Sequence, residues 1–97
     1  MKREAAIAKL RAHEAELKTL GVIRLLLSGS TARDQAREDS DVDLFFDFEK
    51  GALDLFGLMD IKDRVSTILG QHADVMTRGS IHPRLRASVE QLAVLAF

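Results

Sequence analysis

Leu25-Leu26-Leu27-Ser28-Gly29-Ser30-Thr31-Ala32-Arg33-Asp34-Gln35-Ala36-Arg37-Glu38-Asp39-Ser40-Asp41-Val42-Asp43-Leu44-Phe45-Phe46 is the stretch on which the fold turns. An apolar run stops at Gly29-Ser30, a polar segment long enough for one or two helical turns follows, and a second apolar run opens with two aspartates one residue apart. The order reads as strand, phosphate-binding turn, short helix and metal-binding strand. Gly29 has no side chain, so the backbone there can take positive φ or let a ligand come close, and Ser30 or Thr31 can cap the following helix. Free N–H groups at such a helix start favour a phosphate. Asp41 and Asp43 alternate with Val42 in a β-prone run, which puts both carboxylates on one face, roughly 6–7 Å apart along the strand. Two hard oxygen ligands on one face suit Mg²⁺, above all when substrate phosphates complete the octahedron.

Around that stretch the composition sets bounds. A chain of 97 residues with 46% hydrophobic content makes one small domain over residues 1–97, burying roughly 60–65% of its unfolded surface. There is room for one core and a surface site. The net charge is −1, from 14 basic and 15 acidic residues without a block of either sign, which argues against generic nucleic-acid binding by a basic face. No cysteine is present, so disulfides and thiolate zinc sites are excluded. No apolar run approaches the ~20 residues that span a membrane, and residues 1–20 lack the apolar centre of a signal peptide, so a cytoplasmic protein is expected.

Taken in order, Lys2 to Leu20 reads as one amphipathic helix with Ala6, Ile7, Leu10, Leu17 and Leu20 on its apolar stripe, stopped by Gly21. His13 falls on that stripe and is expected to be a partly buried packing residue. Val22–Leu27 is the first strand, Thr31–Arg37 the short helix, and Val42–Phe48 the second strand. Asp54 is a plausible N-cap for a helix running to Leu69, with Leu55, Leu58, Met59, Val65, Ile68 and Leu69 as its core face and Gly70 as its stop. Ala73–Thr77 is a short third strand. Pro83 opens a last helix from Arg84 to about Ala96, expected to bury Leu85, Val89, Leu92 and Leu95 or Ala96. The sum is α+β: a small three-stranded sheet packed with helices.

Gly29-Ser30, ten residues, then Asp41-Val42-Asp43 resembles the signature of the DNA-polymerase-β-like nucleotidyltransferase superfamily. The Gly-Ser-Thr-Ala-Arg and Ser-Asp-Val-Asp-Leu segments look like its minimal nucleotidyltransferase branch. The likeness extends to Gly57–Thr77 and Ile81–Leu95, about three-quarters of the chain, and implies a mixed sheet. It also implies that Asp41 and Asp43 bind metal and that the Gly29-Ser30 turn holds the β- and γ-phosphates of ATP. Asp74, in a hydrophobic-Asp-hydrophobic setting, matches the superfamily's third carboxylate, with Asp47 as its competitor about 13 Å along the strand from Asp41. Arg33 matches the arginine of the small-x-Ala-Arg segment and would meet triphosphate charge or brace the acidic turn. Asp34 departs from the family, which often has glycine there, and as an acid in a first helical turn it would add negative charge beside the phosphate site.

Other readings of the same residues fail on spacing. An EF-hand loop starting at Asp39 would need glycine where Leu44 stands and glutamate where Lys50 stands. There is neither a P-loop nor a dinucleotide-binding glycine pattern, and Ser30 has no histidine at a nucleophile's spacing. His72 and His82 read as surface or loop residues. Arg78, Arg84 and Arg86 read as a solvated face rather than a partner-facing patch.

Minimal nucleotidyltransferases of this length are commonly paired with a HEPN-domain protein as a toxin–antitoxin module. The resemblance therefore implies an Mg²⁺-dependent antitoxin that transfers AMP from ATP to a tyrosine of a HEPN toxin ribonuclease, working in a hetero-oligomer. The chain has no tyrosine, so any tyrosine acceptor belongs to another protein. The alternative is a non-catalytic binding module that neutralises the toxin by occlusion.

Overall fold

The structure, a computed structural model, describes every residue from Met1 to Phe97. Helices α1 (Arg3–Ala12) and α2 (Glu14–Thr19) lead into strand β1 (Val22–Ser28), a single helical turn α3 (Gly29–Ala32) and strand β2 (Val42–Phe48). Helix α4 (Leu55–Leu69), strand β3 (Ala73–Thr77), a 3₁₀ turn (Arg78–Ser80), helix α5 (Pro83–Leu92) and strand β4 (Val94–Leu95) complete the chain. The sheet is mixed, in the order β3-β2-β1-β4. β1 pairs antiparallel with β2 and β4, while β2 pairs parallel with β3 across the α4 crossover.

The sheet has four strands where three were expected. The last helix stops at Leu92 rather than near Ala96, because Ala93 is already extended (φ −70°, ψ 150°) and Val94-Leu95 add to the free edge of β1. The gain is concrete. Ala96 N–H donates to the Leu25 carbonyl at 2.8 Å, Leu25 N–H donates to the Phe97 carbonyl at 3.1 Å, and Ala96 is fully buried. An amphipathic pattern cannot see a neighbour whose edge is far away in sequence.

The first helix also departs from expectation. It breaks at His13 (φ −114°, ψ 19°), so Leu10 and Leu17 reach the core from two separate helices. His13 is exposed rather than packed, with its Nδ1 3.0 Å from Glu16 Oε2.

Alternation along β2 divides the molecule into two sides. Val42, Leu44 and Phe46 face the main core, built with Ala6, Ile7, Leu10, Leu17, Leu25, Leu27, Ile61, Val65, Leu69 and Val75. α4 is capped by the Asp54 side chain, which accepts from Gly57 N–H at 2.7 Å, and ends at Gly70 in the left-handed region (φ +74°). Its buried stripe is Ile61, Val65 and Leu69, whereas Leu55 and Met59 of the expected core face stay 68% and 53% exposed. The other sheet face carries Asp43, Phe45 and Asp47, and α5 crosses it. α5 keeps Leu85 and Leu92 exposed, contrary to the burial read from its periodicity, because the residues available to cover it are few on this side.

Candidate active site

At the carboxyl end of β1 the chain turns sharply into α3, and the turn strongly favours glycine. Gly29 has φ +64°, and a Cβ built there would lie 2.5 Å from Asp43 Oδ2. The expected positive φ at this residue is therefore present, and the group that comes close is the carboxylate of β2. The helix cap differs from expectation. Ser28 occupies the N-cap position without a side-chain cap bond, and Thr31 is buried with Oγ1 unpartnered. α3 runs for one turn instead of reaching Arg37, and its early N–H groups have no partner within the helix.

Register brings the acids together. Ser28 of β1 and Asp74 of β3 are both paired with Asp43, so all three side chains leave the same sheet face on neighbouring strands. Asp41 precedes β2 on that face. Its turn is anchored by Gln71 Nε2 donating to the Ser40 carbonyl at 2.8 Å and by Val42 N–H donating to the His72 carbonyl at 3.2 Å. His72 is exposed, as expected, and its Nδ1 lies 3.4 Å from Asp41 Oδ1, a contact that no sequence spacing advertises.

The electrostatics of the cluster follow from this geometry. Partial burial, then the Asp74 charge, then the Asp41 charge push the Asp43 carboxyl above the ordinary carboxylate range. A set of acids that repel one another suits a divalent cation. No three His, Cys, Asp or Glu side chains converge tightly enough to cage a metal unaided. The donor set is an open one, which fits a cation that takes part of its shell from phosphate oxygens.

Asp47, the rival third carboxylate, has another partner. Arg78 Nε and Nη2 donate to its two oxygens at 2.7 and 3.0 Å. Arg78 also lies 3.5 Å from Glu90 Oε2 and stacks 5.0 Å from the Phe45 ring centroid. Arg86 Nη2 donates to the Gly79 and Ile81 carbonyls. Of the three arginines read as a solvated face, two are thus tied into the fold. Arg33 is exposed; its Nε donates to Gln35 Oε1 at 3.3 Å, and it forms no ion pair with the three acids.

Asp34 sits outside the helix rather than in its first turn. It follows the end of α3 in the left-handed region (φ +57°), the conformation glycine adopts without cost, and Oδ1 accepts from Arg3 N–H at 3.0 Å. Its charge is turned to the start of α1, so the concern about the phosphate site loses its geometric basis.

Beside the corner lies a cavity of about 310 Å³ lined by Ser28, Gly29 and Asp43 together with Phe45, Met76, Ser80, Ile81, His82, Leu85 and Val89. Apart from Gly29 and Asp43, none of these was singled out from sequence as a site residue. His82-Pro83 was the available signal: His82 caps α5, its Nδ1 accepting from Arg84 N–H at 3.1 Å.

Comparison with known proteins agrees with the fold. The profile of the nucleotidyltransferase domain family matches residues 10–96. A Methanocaldococcus jannaschii protein assigned as a protein adenylyltransferase is 38% identical over 74 residues, covering 76% of this chain and 78% of its own. The protein adenylyltransferase MntA of Thermococcus cleftensis is 32% identical over 81 residues, covering 82% of this chain and 81% of its own. Among solved structures, one assigned as a minimal nucleotidyltransferase superposes with TM-score 0.84 at 34% identity, covering 97% of this chain and 95% of the other. A chain of a toxin–antitoxin complex with AMP-PNP superposes with TM-score 0.69 at 16% identity, covering 100% of this chain and 73% of that one, a likeness of fold. No helix is long and apolar enough to cross a membrane.

Proposed function

This chain belongs to the nucleotidyltransferase domain family, and from that premise we propose that it is an Mg²⁺-dependent protein adenylyltransferase that silences a toxin partner. The observation that carries the proposal is the meeting of three elements at one corner. Gly29 is wedged against Asp43, and Asp74 is paired beside it on the next strand. Relatives that bear the name protein adenylyltransferase support transfer of AMP to a protein. The fold shared with a toxin–antitoxin chain supports the kind of partner.

In this reading the amides at the start of α3 and the Ser30 hydroxyl hold the β- and γ-phosphates of ATP. Asp41, Asp43 and Asp74 hold Mg²⁺, which supplies neutralisation of the phosphate charge. Asp74, at the side of the cluster away from Gly29, accepts the acceptor's hydroxyl proton. The acceptor oxygen bonds to the α-phosphorus as the bond to pyrophosphate breaks. Arg33 meets triphosphate charge after a rotation away from Gln35. The acceptor is a tyrosine of a HEPN-domain ribonuclease, consistent with the absence of tyrosine here, and the pair acts in the cytoplasm as a hetero-oligomer.

The test is transfer of label from [α-³²P]ATP with Mg²⁺ to the purified HEPN-family partner. Wild type should label the partner, and the Asp41→Asn/Asp43→Asn double variant should fall by at least about a hundredfold. If the double variant still protects cells from the toxin as well as wild type does, neutralisation proceeds by occlusion and the enzymatic reading fails.

A further inference from the structure

The three acids of the cluster are not held alike. Asp43 and Asp74 occupy paired positions of β2 and β3, so the sheet ladder fixes their backbones. Asp41 lies one residue before β2 begins, with a side chain 62% exposed, at the end of an irregular connection from α3. That connection is lightly tethered. Residues 36–40 close a turn on themselves, Ser40 N–H donating to the Arg37 carbonyl and Arg37 N–H to Ser40 Oγ. Their hydrogen bonds to the rest of the chain are two. One is the exposed amino terminus, 3.4 Å from the Arg37 carbonyl; the other is Gln71 Nε2, which donates to the Ser40 carbonyl at 2.8 Å in a part-buried setting.

We propose that Gln71 is a positioning residue for the divalent cation: by clamping the Ser40 carbonyl it sets the direction in which the Asp41 carboxylate leaves the turn. The inference rests on the cation reading of the three acids and adds a residue outside the cluster on which its geometry depends. The two peptide planes flanking Asp41 are both held by the segment that follows α4. The Ser40 carbonyl, in the plane before Asp41, takes the Gln71 bond. Val42 N–H, in the plane after it, donates to the His72 carbonyl at 3.2 Å. Because a peptide unit is rigid, holding the planes on both sides restricts φ and ψ of Asp41 and so aims its side chain. The second hold is backbone to backbone and survives any substitution. The first depends on a side chain, and Gln71 supplies it.

Glutamine suits the task. A carbonyl oxygen only accepts, so the amide nitrogen faces it, and a neutral amide donates without adding charge. Lysine would also donate, but its ammonium beside Asp41 would compete with the metal for the carboxylate. Gly70, in the left-handed region at φ +74°, ends α4 and turns the chain so that Gln71 and His72 arrive at the Asp41 turn.

The experiment uses Gln71→Met, which keeps much of the side chain's length and removes its donor. A control is Arg11→Met, which removes a part-buried bond to the Ala96 carbonyl on α1 and β4, outside the cluster. Mn²⁺ is titrated into each protein saturated with α,β-methylene-ATP, whose bridge cannot be cleaved at the transferring bond, and the rise in Tm with ion concentration gives the ion's affinity. Gln71→Met should need about three- to tenfold more Mn²⁺ than wild type for the same rise, and Arg11→Met should follow the wild-type curve whatever its starting Tm. In the Asp41→Asn background Gln71→Met should produce no further shift, because its effect passes through that carboxylate. Label transfer should show the same three- to tenfold displacement in Mg²⁺ dependence, with the rate at saturating Mg²⁺ restored. Coincident ion curves for Gln71→Met and wild type, an equal displacement in Arg11→Met, or a displacement that persists in Asp41→Asn would each overturn the inference. A wild type that the ion does not stabilise would overturn the cation reading and this inference with it. A wild type that shows the ion effects without transferring label would sink the adenylyltransferase reading alone.

Discussion

Asp43 is the residue on which stability and chemistry pull in opposite directions. Half-buried between Ser28 and Asp74, it ionises against burial and two neighbouring carboxylates, so its folded pKa stands above the unfolded 3.8. For a carboxyl raised on folding, the folded state binds the proton more tightly than the unfolded state. The associated stability is complete below the unfolded pKa and is lost as pH rises through the raised value. At neutral pH the ionised group therefore works against the fold. Asp43→Asn is accordingly expected to melt above wild type at pH 7 in EDTA, with the gap closing as pH falls toward 3.8. Added Mg²⁺ should raise the wild-type Tm and leave that of the variant nearly unchanged. A variant less stable than wild type across the whole range would show that Asp43 is held by favourable contacts rather than strained by like charge.

Among the elements, α5 shows where sequence reading stopped and why. The strands β1, β2 and β3, the α4 cap at Asp54 and the Gly29 corner were legible because each is set by local chemistry: alternation, an Asx cap, a residue without Cβ. Asp41 and Asp43 share a face by period, whereas Asp74 came only from resemblance to the superfamily's third carboxylate, and it is the nonlocal register of β3 on β2 that puts it beside Asp43. Leu85, Val89 and Leu92 keep helical spacing, yet that spacing says only that they share a side, not whether anything covers it. What fixes α5 is nonlocal. Arg78, 30% exposed, bridges Asp47 of β2 and Glu90 of α5 while its guanidinium lies over Phe45. Replacing it by methionine keeps apolar cover on Phe45 and leaves two carboxylates unpaired. Arg78→Met should cost about 1–3 kcal/mol, less than a fully buried pair because all three groups reach water. Urea melts would show this as a lower midpoint at unchanged slope. In a double-mutant cycle with Asp47→Asn the double variant should lose less than the sum of the two single losses; strict additivity would mean that the pair is not coupled.

At the scale of the molecule, one sheet face is sealed by α1, α2 and α4, and the other is crossed by α5 alone, which is why the acids and the cavity remain open there. Strand order was not readable from periodicity, because it depends on which edge accepts the next segment. The fourth strand is the clearest case: two residues, Val94 and Leu95, hold the edge of β1. Around them Arg11 Nε donates to the Ala96 carbonyl at 2.7 Å, and Leu25 exchanges bonds with Ala96 and Phe97. Removing residues 93–97 deletes at least four hydrogen bonds to the rest of the chain, each contributing roughly 0.5–1.5 kcal/mol, along with the burial of Ala96. A loss of at least about 3 kcal/mol is expected, which for a domain of this size lowers Tm by at least about 12 °C. The same cut bares β1, the apolar strand that runs directly into Gly29, and a bare edge pairs with other chains. Light scattering should therefore show self-association of the shortened protein at concentrations where the full chain does not associate. Wild-type melting and an unchanged mass after the cut would mean that β1 keeps its place, and with it the Gly29 corner, without the strand that closes the sheet.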